Sequence, residues 1–271
     1  MSSTLTRNLA EVSRCTAILV EAVADLKRER AVKRLEKEVA KWFRWQGRVL
    51  ISAFPKMKQY FTESAASDFD DVFDRAIKVT VLNGEEIFEA GLTRGITQGF
   101  EYMADEIGMA QAFELDHPAA VKWSQKNAAV HVTEVNGTTK ETIRGIVTTG
   151  IDKGLGYDTV ARRITKRFSE FAIGKPQLHI ESRAHLVAVT ENAMAYENGG
   201  RMLVDEIQAT GIDMEKSWHT VGDDRVSAGC RDNADAGWIP AGDGFPSGEQ
   251  NPPRFPGCRC NTHYRVSRAG E

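Results

Sequence analysis

The chain has 271 residues, 41% of them hydrophobic and 27% charged, with a formal net charge of −3. This is enough chain to bury a sizeable core in one large domain or two smaller ones, and the balance of charge excludes a polycation built to coat nucleic acid. Four cysteines are too few for a disulfide scaffold and point to folding in a reducing compartment.

The N-terminal residues carry no signal-peptide pattern, because the apolar run from Ala17 to Val23 is broken by Glu21 and no small-residue cleavage site follows. No stretch approaches the apolar length of a membrane span, so no membrane partner is expected. Residues 5 to 62 read as one or two long helices. Leu5, Leu9, Val12, Ile18, Leu19, Val23 and Leu26 recur near helical spacing, and no glycine or proline occurs before Gly47 and Pro55. Lys27, Arg28, Arg30, Lys33, Arg34, Lys37, Lys41, Arg44 and Arg48 outnumber Glu29, Glu36 and Glu38 by six, and Trp42 and Trp45 close the stretch. Such a stripe can meet DNA phosphates or an acidic protein partner, or it can simply be the solvated face of a helix whose tryptophans enter the core.

Ser67 and Asp68 are capping residue types for a helix carrying Phe69, Val72, Phe73 and Ile77, and Asn83-Gly84 is a turn dipeptide. Residues 84–108 then form a helix with Gly91, Gly95 and Gly99 on one face, where a second helix can approach closely. His117-Pro118 marks a break. A helix over 119–135 is expected to end at Asn136-Gly137. Thr138 and Glu141 form a capping box for the next helix, which ends among the glycines of 150–156. Asp158 caps a short helix, and the helix over 182–197 ends at Asn198-Gly199 before another at 201–211. From Met214 the pattern alternates, giving strands at 214–221, 237–240 and 261–266. The loop between the last two is poor in apolar residues, and a loop of that length is functional or is pinned by something. The fold class expected is α+β, mostly α-helical with a small antiparallel sheet near the C-terminus. Residues 1–115 are read as a helical arm and 116–271 as a second domain.

Cys230, Cys258 and Cys260 flank that loop, with His219 and His263 nearby in sequence. The same residue types allow a structural zinc site, in which three thiolates and a histidine make a tetrahedron. They also allow a disulfide, a packed group of reduced thiols acting as small hydrophobes, or a reactive thiol beside Arg259. Asp223-Asp224-Arg225 can bind a metal or do acid–base work, or can cap the following helix with Arg225 paired to a carboxylate elsewhere. No nucleophile–base set is legible, so no catalysis is expected, and zinc is the one cofactor the residues suggest.

These residues carry a resemblance. Trp218, Asp224, Arg225, Cys230, Gly237 and the closing Pro256-Gly-Cys258-Arg-Cys260 resemble the C-terminal signature of the phage Mu F-type minor head proteins, the phage head morphogenesis family. Upstream, Arg183-Ala-x-x-Val-Ala-x-Thr190-Glu191-Asn192 and Asn136-Gly-Thr-Thr are similar to the family as well, so the resemblance spans about residues 117–267. One departure stands out. The family usually has His-Pro-Asn-Cys-Arg-Cys where this chain has Phe255-Pro-Gly-Cys-Arg-Cys. The resemblance implies a capsid protein of the virion: a minor head protein near the portal vertex, acting in head assembly, DNA packaging or control of DNA release. It would pass through the host cytoplasm during assembly. The implied partners are the portal protein, other head proteins and packaged double-stranded DNA. Two other readings compete: a phage-delivered effector enzyme, such as a nuclease or ADP-ribosyltransferase, and a DNA-binding ejection protein.

Overall fold

A computed structural model describes residues 2–53, 65–108, 118–155, 157–173 and 182–267. Among these residues there are six helices and three strands: α1 (Ser2–Ala53), α2 (Ala65–Glu106), α3 (Pro118–Asp152), α4 (Tyr157–Ile173), α5 (Arg183–Ala209), β1 (Met214–His219), α6 (Ala228–Asp235), β2 (Ile239–Pro240) and β3 (Asn261–Val266). The expected α+β class is observed. No described helix is long and apolar enough to cross a membrane. The chain forms two compact units. The first comprises Met1–Val32, Leu92–Val121 and Val189–Glu271, and the second Lys33–Gly91 and Lys122–Ala188. Each combines segments from either side of residue 115.

The second unit is all helical, and its core is aromatic. Trp42 stacks on Phe43 and meets Phe88 edge-on, and Phe168 meets Phe171 edge-on. The Trp42 indole donates to the Thr80 carbonyl at 3.0 Å, so its one polar atom is satisfied inside the core. Arg183 lies over the rings of Phe43 and Phe171, at 5.2 and 4.6 Å, and donates to Thr139 Oγ1 and to the Val135 carbonyl. Burial lowers its pKa to about 10, which still leaves the guanidinium charged.

Three expected breaks are not breaks. Asn83-Gly84, Asn136-Gly137 and Asn198-Gly199 all lie inside continuous helices. The turn dipeptides are overridden by packing and by side-chain bonds back to the helix. A Cβ on Gly84 would come within 2.6 Å of the Trp42 ring, and one on Gly199 within 2.0 Å of the Ile96 carbonyl oxygen. Asn136 Oδ1 accepts from Gln46 Nε2 at 2.7 Å, and Asn198 Nδ2 donates to its own helix at Met194 O. The expected capping box fails for the same reason. Thr138 and Thr139 donate their hydroxyls to the carbonyls of Glu134 and Val135, four residues back, and Glu141 pairs with Arg144. Ser67 and Asp68 likewise fall inside α2. Asp158 sits in the first turn of α4, where a carboxylate suits the helix dipole. His117 lies outside the described residues, while Pro118 opens α3 as a first-turn proline should.

The glycine face of α2 behaves as its spacing predicts. In the first unit a Cβ on Gly95 would meet Ala195 Cβ at 2.6 Å, and one on Gly99 would meet the Tyr196 carbonyl oxygen at 1.8 Å. In the second unit, Gly91 faces Leu35. The three strands form one antiparallel sheet of order β2-β1-β3, with Trp218 opposite Thr262 and Lys216 opposite Tyr264. Beneath it Phe100, Met103, Leu203, Val204, Ile207, Met214 and Tyr264 form a continuous apolar cluster.

Two glycine substitutions separate packing from turn chemistry. Gly99→Ala is expected to destabilise the protein by about 1–3 kcal/mol or more, the usual range for forcing an atom into a closed contact. Gly137→Ala should stabilise it by about 0.5–1 kcal/mol, because Gly137 is exposed in mid-helix, has no positive φ, and has open space where a Cβ would go. Chemical denaturation of the two variants measures both. A destabilised Gly137→Ala would mean that a turn forms there after all.

Candidate functional site

The C-terminal part of the first unit brings the three predicted cysteines together. Cys230 comes from the first turn of α6, which Ser227 caps by accepting the Cys230 N–H at 3.3 Å. Cys258 and Cys260 come from the Pro-Gly-Cys-Arg-Cys turn just before β3. That turn is made by Gly257 at φ +82° and by the Cys258 N–H donating to Phe255 O. All three thiols are free and buried, and their sulfurs lie within 4.8 Å of one another. Trp218, Val226 and Phe245 enclose them, with Phe255 packed against the group and Trp218 meeting Phe245 edge-on at 5.1 Å.

The sulfurs do not share one environment. The Cys258 thiol is pulled down to about 5, first by the hydrogen bond from Cys260 and then by the backbone N–H groups of Cys260 and Arg254. Cys260 is pushed up by that same bond to Cys258 and by burial. Burial also raises Cys230. A thiol of low pKa is nucleophilic only where a reagent can reach it, and Cys258 is 2% exposed.

The predicted histidines are elsewhere. His263 Nδ1 lies 2.5 Å from Glu106 Oε1, and its ring stacks on His219 with centroids 3.7 Å apart. Burial disfavours a charged His263, but Glu106 more than offsets it and the pKa is raised. His219, desolvated and facing His263, is pushed down to about 4. Asp223-Asp224-Arg225 does not cap α6, since Ser227 does so. Asp223 instead takes the Arg259 guanidinium through both carboxylate oxygens, at 2.9 and 2.8 Å, and this bond holds its pKa below the usual range. Asp224 is exposed, and the Arg225 guanidinium lies 4.0 Å from Asp224 while its backbone N–H donates to Asp223 Oδ1. Gly237 turns the chain after α6 at φ +67°.

The sequence did not point to the groups that pin the loop between β2 and β3. Lys216, in the middle strand and 1% exposed, donates to the Gln250 carbonyl at 2.8 Å and lies over the Phe245 ring. Burial lowers its pKa to about 8. Asn233 bonds Ser247 in both directions, and Asn251 donates to the Tyr264 hydroxyl. Glu197, fully buried on α5, accepts the Thr262 N–H at 3.2 Å on each oxygen, and burial raises its pKa to about 7. A lysine on the inward face of β1, between Met214 and Trp218, was the available signal.

On α1 the basic residues separate by direction. In the first unit Lys27 and Arg30 are exposed, Lys27 lies 3.7 Å from Glu101, and Arg28 leans over the Tyr196 ring at 5.0 Å. In the second unit Arg34, Lys37, Lys41, Arg44 and Arg48, separated alternately by three and four residues, are all exposed, with Lys33 beside them. That spacing places them along one stripe of the helix. Glu36 turns away to His185 Nδ1 at 2.9 Å, and Glu38 pairs with Lys41.

Residues 141–263 match the family model described as Phage Mu protein F like protein. This part of the chain, somewhat less than half of it, is similar to that family. The matched span takes in the Arg183 helix, the tryptophan strand and all three clustered cysteines. No curated protein matches the chain, and no solved structure does.

Glu197 gives the Mu F-like region a testable pH dependence. Its folded pKa of about 7 lies above the ordinary 4.5. Its contribution is therefore fully present below pH 4.5 and is lost as pH rises through about 7. His219 runs the other way, favouring the fold above pH 6.5 and opposing it as pH falls toward about 4. Glu197→Gln should therefore be more stable than the parent above pH 7, by roughly 1–3 kcal/mol. Its stability should also rise more steeply from pH 4 to 6.5. Melting temperatures of the two proteins across pH 4–8 measure this, and parallel curves would mean that folding does not shift the Glu197 pKa.

Proposed function

We propose that this protein is a minor component of the phage head, placed at the portal vertex, that acts in head assembly, genome packaging or control of DNA release. The match of residues 141–263 to the Mu F-like family carries the reading. The architecture is compatible with it. The cysteines are enclosed rather than set in a cleft, and Asp223 is committed to Arg259. These residues serve an interaction protein better than an enzyme, and Trp218, Gly237 and the Asp223–Arg259 pair shape the scaffold. The partners proposed are the portal protein and other head proteins.

The basic stripe of α1 is assigned to packaged double-stranded DNA. Arg34, Lys37, Lys41, Arg44 and Arg48 present a row of cations at helical spacing, while the acids interspersed with them are turned aside or paired. Such a row meets a phosphate backbone without reading sequence.

Two measurements test these assignments. Quantitative mass spectrometry of purified heads, with cross-linking to the portal, is expected to find the protein in few copies joined to portal subunits. Its absence from intact heads would end the head reading. For DNA, the full-length chain is expected to bind duplex with an affinity that falls steeply with salt. Replacing Arg34, Lys37, Lys41 and Arg44 by glutamine should reduce the slope of log K against log salt by up to about 4, since each phosphate no longer neutralised lowers it by about 0.9. An unchanged slope would remove DNA as the partner of this stripe and leave the head assignment standing.

A further inference from the structure

We propose that Cys230, Cys258 and Cys260 form a three-thiolate site for a zinc ion. The first support is geometric. Zinc–sulfur bonds of about 2.3 Å at tetrahedral angles hold three sulfurs about 3.8 Å apart. The three sulfurs here already lie within 4.8 Å of each other, so side-chain adjustments smaller than a bond length close the site. A disulfide would consume two of the three and strand the last.

The second support is the kind of group surrounding the sulfurs. Neutral thiols are weak donors that want acceptors. This pocket supplies donors. The Ser227 hydroxyl bears on Cys230, and the backbone N–H groups of Cys260 and Arg254 bear on Cys258. The indole N–H of Trp218 bears on Cys260, yet it is fully buried and makes no well-formed hydrogen bond while that thiol is neutral. A buried donor without an acceptor costs stability, and a metal-bound thiolate would satisfy it, as outer-shell donors do in metal sites. Three thiolates cannot stay buried together without a cation at their centre. The site also joins two short segments, α6 and the turn before β3, to each other. α6 has eight residues, and the turn at 255–260 follows a loop poor in apolar groups. Gly229 leaves room for the Arg254 side chain against α6, since a Cβ there would come within 2.7 Å of Arg254 Cζ. Loading displaces whatever protons the three sulfurs still carry.

The fourth ligand comes from outside this set of residues. His263 is held by Glu106 and stacked on His219, and neither imidazole joins the sulfur cluster. Phe255 packs against the cluster and has nothing to coordinate with. The proposal is independent of the head assignment, because a zinc ion here would staple the fold whatever the virion does with it.

The test uses the full-length protein, purified anaerobically with reductant. Elemental analysis is expected to find about one zinc per chain, released when the thiols are modified. Cobalt(II) added to metal-free protein is expected to give sulfur-to-cobalt charge-transfer absorption and the strong ligand-field bands of a tetrahedral site. Cys15→Ser should leave the stoichiometry unchanged, while Cys258→Ser and Cys230→Ser should each abolish the cobalt charge-transfer signal. Should those variants fail to fold, the cobalt titration of the parent decides alone. Reduced parent protein that holds no zinc and shows no cobalt–thiolate absorption would overturn the proposal. So would a native disulfide among the three cysteines, detected in protein prepared without reductant as thiols that resist alkylation until reduced.

Discussion

The C-terminal part of the first unit depends on backbone-to-backbone contact between α2 and α5. Gly99 faces the Tyr196 carbonyl and Gly199 faces the Ile96 carbonyl, so each helix supplies the glycine that admits the other's main chain. Ordinary helix pairs stand about 8–10 Å apart, and side chains at these positions would hold this pair wider. The close crossing sets Glu106 at the end of α2 and Glu197 on α5 where both reach β3. A sheet of three strands, one of them two residues long, does not persist without such support. It hangs from Thr262 on Glu197, from His263 on Glu106, and from the apolar cluster centred on Met103, Leu203 and Tyr264.

That arrangement puts ionisable groups where burial is costly and then answers the cost locally. Glu197 is fully enclosed, and its two oxygens share a single backbone N–H, too little to keep it a carboxylate below about pH 7. Lys216 is nearly as enclosed, but it finds the Gln250 carbonyl and the face of Phe245. The lysine thereby converts a burial penalty into an anchor for a loop with few apolar residues of its own. A methionine or leucine at position 216 would fit the strand and would leave the Gln250 carbonyl without this donor. The loop is thus fixed from several directions, by Phe245 beneath Trp218, by Asn233 on Ser247 and by Lys216 on Gln250.

Much of this was legible in the sequence, and the exceptions share a cause. All three strands fall where alternation puts them, because period-two patterning survives without knowledge of neighbours. The glycine face of α2 was legible for the same reason, since its four-residue spacing is local. The helix ends at Asn83, Asn136 and Asn198 were misread because a turn dipeptide states only what the backbone can do. Whether it does so is decided by Trp42, Gln46 and Ile96, which are remote in sequence. The cysteine cluster was legible in its residue types and not in its membership, since His263 belongs to Glu106, 157 residues away. Glu197 carried no signal at all. A glutamate on a helix reads as solvent-facing until a strand is known to cross it.

The two halves of the Mu F-like signature are separated widely in sequence, yet one hydrogen bond joins them. The Gly257 N–H, in the turn that delivers Cys258 and Cys260, donates to Thr190 Oγ1 on α5 at 3.0 Å. A side chain at 257 would resist the positive φ that aims this N–H, and Val in place of Thr190 would keep the shape and remove the acceptor. The threonine of the helix and the glycine of the closing turn therefore constrain one another. The ring of Trp218 closes the same space from the strand side. Residues 190, 218 and 257 form one structural element, which explains why a pattern so scattered along the chain is recognisable as a unit. It also places the sulfur cluster at the junction of helix, sheet and loop, where fastening one point holds all three.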